Sequence, residues 1–491
     1  MNGSALVQGG DTQNRESLTT VIDAEEFAAR PGQSACVLVD DGPLALMLRS
    51  ALADQAQDTI DLQTYLYDDD AAGIVLMDRL RTAAERGVRV RLLIDDNGLR
   101  TDDCLPLLLD SLPNAEVRVF NPFRFRPRWS RPLQIPFEFR RLNHRMHNKL
   151  YVVDGAATII GGRNIGDHYF EAHEETNFTD LDVLLLGPVA QDARSCFERY
   201  WNSELSLPLH VALGKRDTSL LRERLQRYVR AARFARLQET WHLEGTSLRD
   251  ALRQGPHTVH WAHTRIVADD PGKASALRMR RVPQIMIVAL RETWDGAREE
   301  VLAAMAYFVP GRKGARDLIR LRRRGVSVSI LTNSLASNDV PTVHAGYVKY
   351  RRALLRAGVA LYEYQRFGNR PRRHHKASTS SALHAKTIVV DRRLAWIGSF
   401  NLDPRSTRLN TEMAVLLDSP SLAADLATRM ERDLAPDRSW RVMMRPRSRE
   451  LSWSGERNGN RVVVHEEPDT GWLLRAWVRF ASRFPFIERL L

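Results

Sequence analysis

His147-Asn-Lys149-Leu-Tyr-Val-Val-Asp154 and, 237 residues further on, His384-Ala-Lys386-Thr-Ile-Val-Val-Asp391 are two copies of one pattern. Each continues into a second apolar stretch and a small-residue turn at the same offset: Ile159-Ile-Gly161-Gly162-Arg-Asn164 and Trp396-Ile-Gly398-Ser399-Phe-Asn401. Upstream, Arg86-Gly87-Val88-Arg-Val90 matches Arg324-Gly325-Val326-Ser-Val328 at an offset of 238. A near-constant offset over so many positions marks an internal duplication. In each copy a helical stretch (Ile74 to Arg86, Ala315 to Arg324) ends in Arg-Gly, a helix stop. An alternating apolar strand follows (Val88, Val90, Leu92, Ile94; Val326, Val328, Ile330). After a longer connection come the His-Lys strand, a turn at the Asp and another strand. The pattern predicts an α/β protein made of two homologous α/β sandwich halves. The expected order is an extension (1–35), a first half (36–205), a helical, Arg-rich connector (206–258), a second half (259–445) and a tail (446–491).

The chain has 491 residues, 43% hydrophobic and 27% charged, which excludes a disordered, collagen-like or disulfide-scaffold protein. Lys and Arg total 72 against 60 Asp and Glu, a formal charge of +12. An anionic partner follows (nucleic acid, a lipid surface or a phosphate substrate), with a plain solubility surplus as the alternative. Only seven of the 72 basic residues are lysines, so the two that recur in the duplicated pattern carry information. Cys36, Cys104 and Cys196 are odd in number and far apart; they suggest no disulfide framework or metal pair and fit a reducing compartment. Neither a signal peptide nor a membrane span is expected.

A His and a Lys two apart on a strand share a face. The imidazole serves as nucleophile or general acid/base, and the ammonium supplies fixed positive charge, a combination suited to an anionic phosphorus centre. The Asp lies past the strand, where a turn or a structural salt bridge is expected. Two merely structural histidines are the bland alternative, and the repeated scarce lysine argues against it. No HExxH, no CxxC and no acidic cluster common to both copies is present, so neither metal nor cofactor is expected.

The doubled H-x-K-x4-D, each followed by G-G/S-x-N, resembles the phospholipase D superfamily. Narrower stretches resemble bacterial cardiolipin synthases of the C type: Leu92-Leu-Ile-Asp95-Asp96-Asn97, Arg141 to Lys149, Gly161 to Phe170, Ile330 to Asp339, His344-Ala-Gly-Tyr347 and Gly398 to Ser406. The resemblance implies a pseudo-dimer whose motifs meet at the interface of the halves, a phosphatidyl-histidine intermediate, and a second histidine that handles the proton. It implies His147 as nucleophile and His384 as acid/base, a choice that spacing alone does not make. Lys149, Lys386, Asn164 and Asn401 would hold phosphoryl oxygens, Ser399 would add a hydroxyl, and Asp154 and Asp391 complete the catalytic motifs. Asp180 and Glu412 would orient the histidines. The offset alone pairs Glu412 with Glu175, whereas the Phe-Thr-Asp match selects Asp180. Asn333, Ser334, Asp339, His344 and Tyr347 would line the substrate site. The implied activity is phosphatidyl transfer from phosphatidylethanolamine or phosphatidylglycerol to phosphatidylglycerol, giving cardiolipin, with ethanolamine able to re-enter. Hydrolysis to phosphatidic acid, a nuclease, and an inactive lipid-binding protein are the alternatives. No accessory protein can be named from the sequence.

Two stretches bear on lipid against nucleic acid. Residues 118–141 hold six aromatics, seven arginines and four prolines, a loop that suits base stacking or an acyl layer equally. Near the C-terminus, Arg475, Arg479 and Arg483 fall on one side of a helical wheel, opposite Trp477, Phe480 and Phe484, with Trp472 toward the polar side. Such a helix suggests an anionic membrane surface, or else packing on the protein's own core. The expectation is a peripheral protein on the cytoplasmic face of the bacterial inner membrane, with no nucleic acid partner.

Overall fold

The computed structural model describes residues 22, 24–99, 105–124, 138–139, 141–214, 217–229, 248–249, 252, 258–275, 282–367, 380–445 and 450–484. Most of the 118–141 loop, about half of the expected connector and most of the N-terminal extension lie outside these residues.

The first half contains β1 (Ser34–Val39), β2 (Thr59–Thr64), β3 (Arg89–Asp95), β4 (Ala115–Phe120), β5 (Leu150–Val153), β6 (Ala157–Gly161), β7 (Thr176–Thr179), β8 (Asp182–Leu186) and β9 (Ser206–Pro208). The second contains β10 (His260–Ala268), β11 (Glu300–Met305), β12 (Ser327–Asn333), β13 (Ala360–Tyr364), β14 (Ser380–Leu383), β15 (Lys386–Val390), β16 (Leu394–Gly398), β17 (Met413–Asp418) and β18 (Ser439–Met444), followed by β19 (Leu451–Arg457) and β20 (Asn460–Val464). Pairing in the first half runs β9-β4-β3-β2-β5-β6-β8-β1. In the second it runs β10-β17-β16-β15-β11-β12-β13-β18. The second order is the first one mirrored, and β1 pairs antiparallel with β10 to fuse both into an 18-stranded sheet.

The duplication is therefore visible strand for strand. β2-β3-β4 and β11-β12-β13 are parallel triplets, and the connections from β2 to β3 and from β11 to β12 are the helices Ala71–Glu85 and Gly311–Arg323. Both helices stop where the sequence predicts, with Gly87 and Gly325 at φ of 100° and 89°, a conformation that costs a Cβ-bearing residue. The central strands are buried on both faces, so the polar Asp61, Gln63 and Arg91 that alternate with their apolar residues are also out of water.

One core cluster takes side chains from both halves: Leu38, Val183 and Leu185 from one, Ala262, Val415 and Leu417 from the other. The halves thus share a core at the seam. β9 pairs with β4, so the first sheet reaches three residues into the segment expected as connector. β19 and β20 extend the second sheet from β18, so the tail is built onto that half.

Candidate active site

His147 and His384 stand just ahead of β5 and β15, which begin at Leu150 and Lys386. Each histidine is held at its backbone by the opposite half: His147 N–H donates to Thr411 O (2.9 Å) and His384 N–H to Thr179 O (2.7 Å). The latter contact continues the parallel β7–β14 pair, and Met146 bridges Thr411 in the same sense. The rings are paired across the seam as well. His147 Nδ1 lies 2.9 Å from Glu412 Oε2, and His384 Nδ1 lies 2.5 Å from Asp180 Oδ2. Each histidine therefore takes its orienting carboxylate from the other half. Strand register makes Asp180 the equivalent of Glu412, because Gly162 N–H donates to Leu181 O as Ser399 N–H does to Met413 O.

That register explains the small residues of the motif. A Cβ on Gly162 would lie 2.2 Å from Asp180 Oδ1. At the matching position Ser399 donates its hydroxyl to Glu412 Oε2 at 2.5 Å. Ser399 is fully buried, so its hydroxyl serves the carboxylate and not a phosphoryl oxygen, contrary to expectation. Lys149 and Lys386 are buried and turn back to the carbonyls of His147 and His384. Asn164 Oδ1 accepts from Leu66 N–H (3.3 Å) and its amide donates to the Tyr169 hydroxyl (2.7 Å), while Asn401 Oδ1 accepts from Tyr307 N–H (3.2 Å).

Electrostatics follow from two ammonium groups and two carboxylates sealed together. Burial and the neighbouring Lys386 push His384 down to about 4, although Asp180 opposes the shift. His147 is lowered by burial too, with Glu412 opposing and Lys149 adding to the fall. Burial pushes Lys149 down to about 7 and Lys386 to about 8. Burial raises Asp180, yet His384 and Lys386 hold it well below the usual carboxylate range. Both imidazoles of the free site are thus neutral near pH 7, and the lysines are poised to take up negative charge.

Several expected residues fall elsewhere. Asp154 and Asp391 lie at the far ends of β5 and β15, about 16 Å along the chain from the lysines at ~3.3 Å per residue. Asp154 accepts from the N–H groups of Gln57, Asp58 and Thr59 (2.9, 2.8 and 2.7 Å). Asp391 does the same for Arg298, Glu299 and Glu300. They pin the start of β2 and of β11 and do not touch the histidines. Asn333 is spent on Leu383 and Ala306 main-chain atoms and Ser337, and Ser334 on Ser337. Both are buried, and these contacts within the second half occupy them. His344 and Tyr347 are buried beside Arg351 under the tail, with His344 Nε2 3.5 Å from Glu467 Oε2. Asp339 alone of that group is exposed.

The structure adds residues that carried no assigned role. Tyr65 stands edge-on to His147, and Tyr169 edge-on to His384, each at 5.2 Å. Phe178 also packs on His384 at 5.2 Å. Arg405 reaches across the seam to Asn143 O and Oδ1 (3.0 and 2.8 Å), fixing the approach to His147. Asp95 accepts from Met146 N–H at 2.8 Å, as Asn333 does from Leu383 N–H at 2.9 Å. The match of Asp95 to Asn333 at the ends of β3 and β12 was the available signal. Tyr169 lies in the Gly161–Phe170 stretch and Phe178 opens the Phe-Thr-Asp match, so of the aromatics Tyr65 carried none.

In the helix Trp472–Ala481 the apolar side is divided. Leu474, Val478 and Ala481 pack with Val309, Leu335 and Val343. Trp472, Leu473, Trp477 and Phe480 are exposed. Arg479 and Arg483 are exposed, Phe484 is half-buried with its ring against Phe480, and Arg475 is committed to Thr470 O and Glu466. Among the described residues, no helix is long and apolar enough to cross a membrane.

Two half-sites that lend each other the orienting carboxylate, around paired lysines, define an enzyme of the phospholipase D type. The family described as "Cardiolipin synthase, PLD-like domain" matches residues 50–201 and 290–434, one histidine motif in each segment. Cardiolipin synthase C of Escherichia coli (strain K12) is 39% identical over 478 residues, 94% of this chain and 97% of that one. The Major cardiolipin synthase ClsA of Bacillus subtilis (strain 168) is 26% identical over 79% of this chain and 66% of its own. The crystal structure of phosphatidylserine synthase from Haemophilus influenzae Rd KW20 superposes with a TM-score of 0.57 at 14% identity, covering 91% of each chain, and shows the same fold. The chain belongs to the cardiolipin synthase branch of the phospholipase D superfamily, and it is a phosphatidyltransferase.

Proposed function

We propose that this enzyme makes cardiolipin by moving a phosphatidyl group through a phosphatidyl-histidine, with phosphatidylethanolamine or phosphatidylglycerol as donor and phosphatidylglycerol as acceptor. The observation that carries the reading is the crossed pairing, His147 with Glu412 and His384 with Asp180, around Lys149 and Lys386. His147 Nε2 attacks the donor phosphorus, the bond to the head-group oxygen breaks, and His384 gives that oxygen a proton. Neutral His384 then takes the proton of a glycerol hydroxyl on phosphatidylglycerol. The freed oxygen attacks phosphorus, and the P–N bond breaks. One phosphodiester replaces another, so no nucleotide is required. Water in place of the lipid alcohol gives phosphatidic acid.

The role assignment is supported by how the carboxylates are shared. Glu412 accepts from His147, Ser399 and Ser406, so its charge is divided and His147 keeps a neutral ring with a free Nε2. Asp180 accepts from its neighbour's N–H and orients His384, whose ring gains its proton only once a phosphodiester anion enters and offsets the Lys386 charge that holds it low in the free site. Charge balance supplies the proton. Two lysines match two carboxylates in the free site, and an incoming phosphodiester anion is offset by protonating one ring.

The exposed Trp472, Leu473, Trp477 and Phe480, flanked by Arg479 and Arg483, fit an anionic lipid surface on the cytoplasmic side of the inner membrane. The test is purified enzyme with each donor–acceptor pair and no cytidine nucleotide. Cardiolipin must form, and His147→Ala must abolish a radiolabelled phosphatidyl-enzyme. No cardiolipin from any pair, or label trapped in His147→Ala and never in His384→Ala, would overturn the reading or reverse the roles.

A further inference from the structure

On the His384 side of the cleft stands a pair that the reaction as described does not use. Tyr307 follows β11, and its backbone N–H is held by the motif residue Asn401. Its hydroxyl lies 2.8 and 2.9 Å from the two carboxylate oxygens of Asp339. Asp339 is exposed, in the segment between β12 and the helix Pro341–Arg356. Its charge acts on Lys386 and on Tyr169, the ring standing against His384. The His147 side is built differently. There the tyrosine is Tyr65 and its partner is an amide, Asn97 Nδ2 donating to the Tyr65 hydroxyl at 2.6 Å. The carboxylate of that side that acts on Lys149 is Asp95, buried and spent on the N–H groups of Asn97 and Met146, whereas Asp339 is anchored and open.

We propose that Asp339, anchored by Tyr307, is the ammonium subsite that selects an aminoalcohol head group of the ethanolamine class. The proposal rests on the phosphatidyl-transfer reading above. In-line displacement puts the leaving oxygen opposite His147, toward His384, so the head group lies on the Tyr307–Asp339 side. The entering alcohol uses the same place, because the second step reverses the first. There Lys386 repels an ammonium group, and an anionic partner must offset that repulsion. A carboxylate offers about four lone-pair sites, so one tyrosine hydroxyl leaves acceptor capacity for an N–H donor. In the exchange, ethanolamine oxygen forms a bond to phosphorus, the P–N bond to His147 breaks, and the hydroxyl proton passes to His384.

The experiment is a competition on purified full-length enzyme. Phosphatidylglycerol labelled in its phosphatidyl group is offered in mixed micelles with equal ethanolamine and ethylene glycol, which differ in the charged end. The readout is the ratio of labelled phosphatidylethanolamine to phosphatidyl-ethylene glycol. The wild type should favour ethanolamine, and Asp339→Asn should lower the ratio about tenfold through the KM for ethanolamine, the size expected of one lost charge-assisted bond. Tyr307→Phe should lower it less. A ratio unchanged in Asp339→Asn would overturn the proposal. If that variant does not fold, the wild type decides, because a ratio of one or below also overturns it. An enzyme that makes no cardiolipin in parallel defeats the transfer reading itself, a separate result.

Discussion

At φ of 52°, Asp154 and Asp391 occupy the same left-handed turn in the two halves, and each carboxylate gathers three backbone N–H groups. Removing one strands donors at the start of a central strand. Asp154→Ala should therefore cost about 1–3 kcal/mol, chiefly for the part-buried Thr59 N–H since water reaches the donors of Gln57 and Asp58, and lower the Tm. Single-turnover transfer by the folded fraction should persist; loss of chemistry at unchanged Tm would return the residue to the site. The histidines and lysines were legible because a scarce lysine recurs two residues after a histidine in both copies, although each histidine stands ahead of its strand and not on it. The aspartates and Ser399 were not, because their partners lie far away in sequence and only strand register identifies them. A second test at this scale is pH. Lys149 and Lys386 titrate at about 7 and about 8 in the free enzyme, so their positive charge is present below those values and lost above them. With a soluble short-chain substrate, kcat/KM should fall above about pH 7–8, while the limb in kcat should lie higher because bound phosphate favours the charged lysines. Lys149→Arg, which stays charged, should move the limb up toward the Lys386 value of about 8 at some cost in rate; a profile flat to high pH in the wild type would refute the poised lysines.

The helix Pro341–Arg356 and the strands β13 and β19 meet at a buried ion cluster. Arg351 donates to Glu363 Oε1 (2.9 Å) and Glu467 Oε1 (2.6 Å), and Trp453 Nε1 donates to Glu363 Oε2 (2.8 Å). One guanidinium thus ties the tail to the second half. Arg351→Met leaves two buried carboxylates without their cation, which should cost about 3–5 kcal/mol. Limited proteolysis should then release a fragment beginning near residue 450 sooner than in wild type. A tail as protected as before would show that β19 and β20 hold it without the cluster. At this scale the helices and central strands were readable from period and stop signals. The tail's strands were not, since Leu451–Arg457 mixes charged and small residues, Asn460–Val464 is only five residues long, and they gain their pairing from β18 and from each other. The same cluster explains why His344 and Tyr347 are absent from the cleft: their helix turns them inward toward Arg351.

Across the whole molecule the duplication foretold two halves, but not that each half would be incomplete. Glu412 belongs to the half that carries His384, and Asp180 to the half that carries His147, so neither half contains a finished acid or base. His147→Ala and Glu412→Gln should act through one unit: each lowers kcat steeply, by roughly 10²-fold or more, and the double variant falls little further. Multiplying losses would mean that Glu412 acts independently of His147. The seam also bears on how the molecule meets lipid. Tyr307 and Val340, beside the cleft, pack into the same cluster as Val478, Ala481 and Phe484 of the tail. Docking of that half-face leaves Trp477 and Phe480 exposed, a division that a helical wheel cannot predict. A surface that grips lipid through them would hold the cleft at the bilayer, where both substrates reside. Replacing Trp477 and Phe480 by Ala removes two aromatic contacts of about 1.5–3 kcal/mol each if fully buried in lipid, so sedimentation with anionic vesicles should weaken tenfold or more. Raised salt should weaken it further by screening Arg479 and Arg483. Turnover of a soluble short-chain substrate should stay within about twofold of wild type, since neither ring belongs to the catalytic set and surface changes are small in effect. If vesicle binding is unchanged while soluble turnover falls, the exposed rings serve the fold or the cleft, and the membrane contact lies elsewhere.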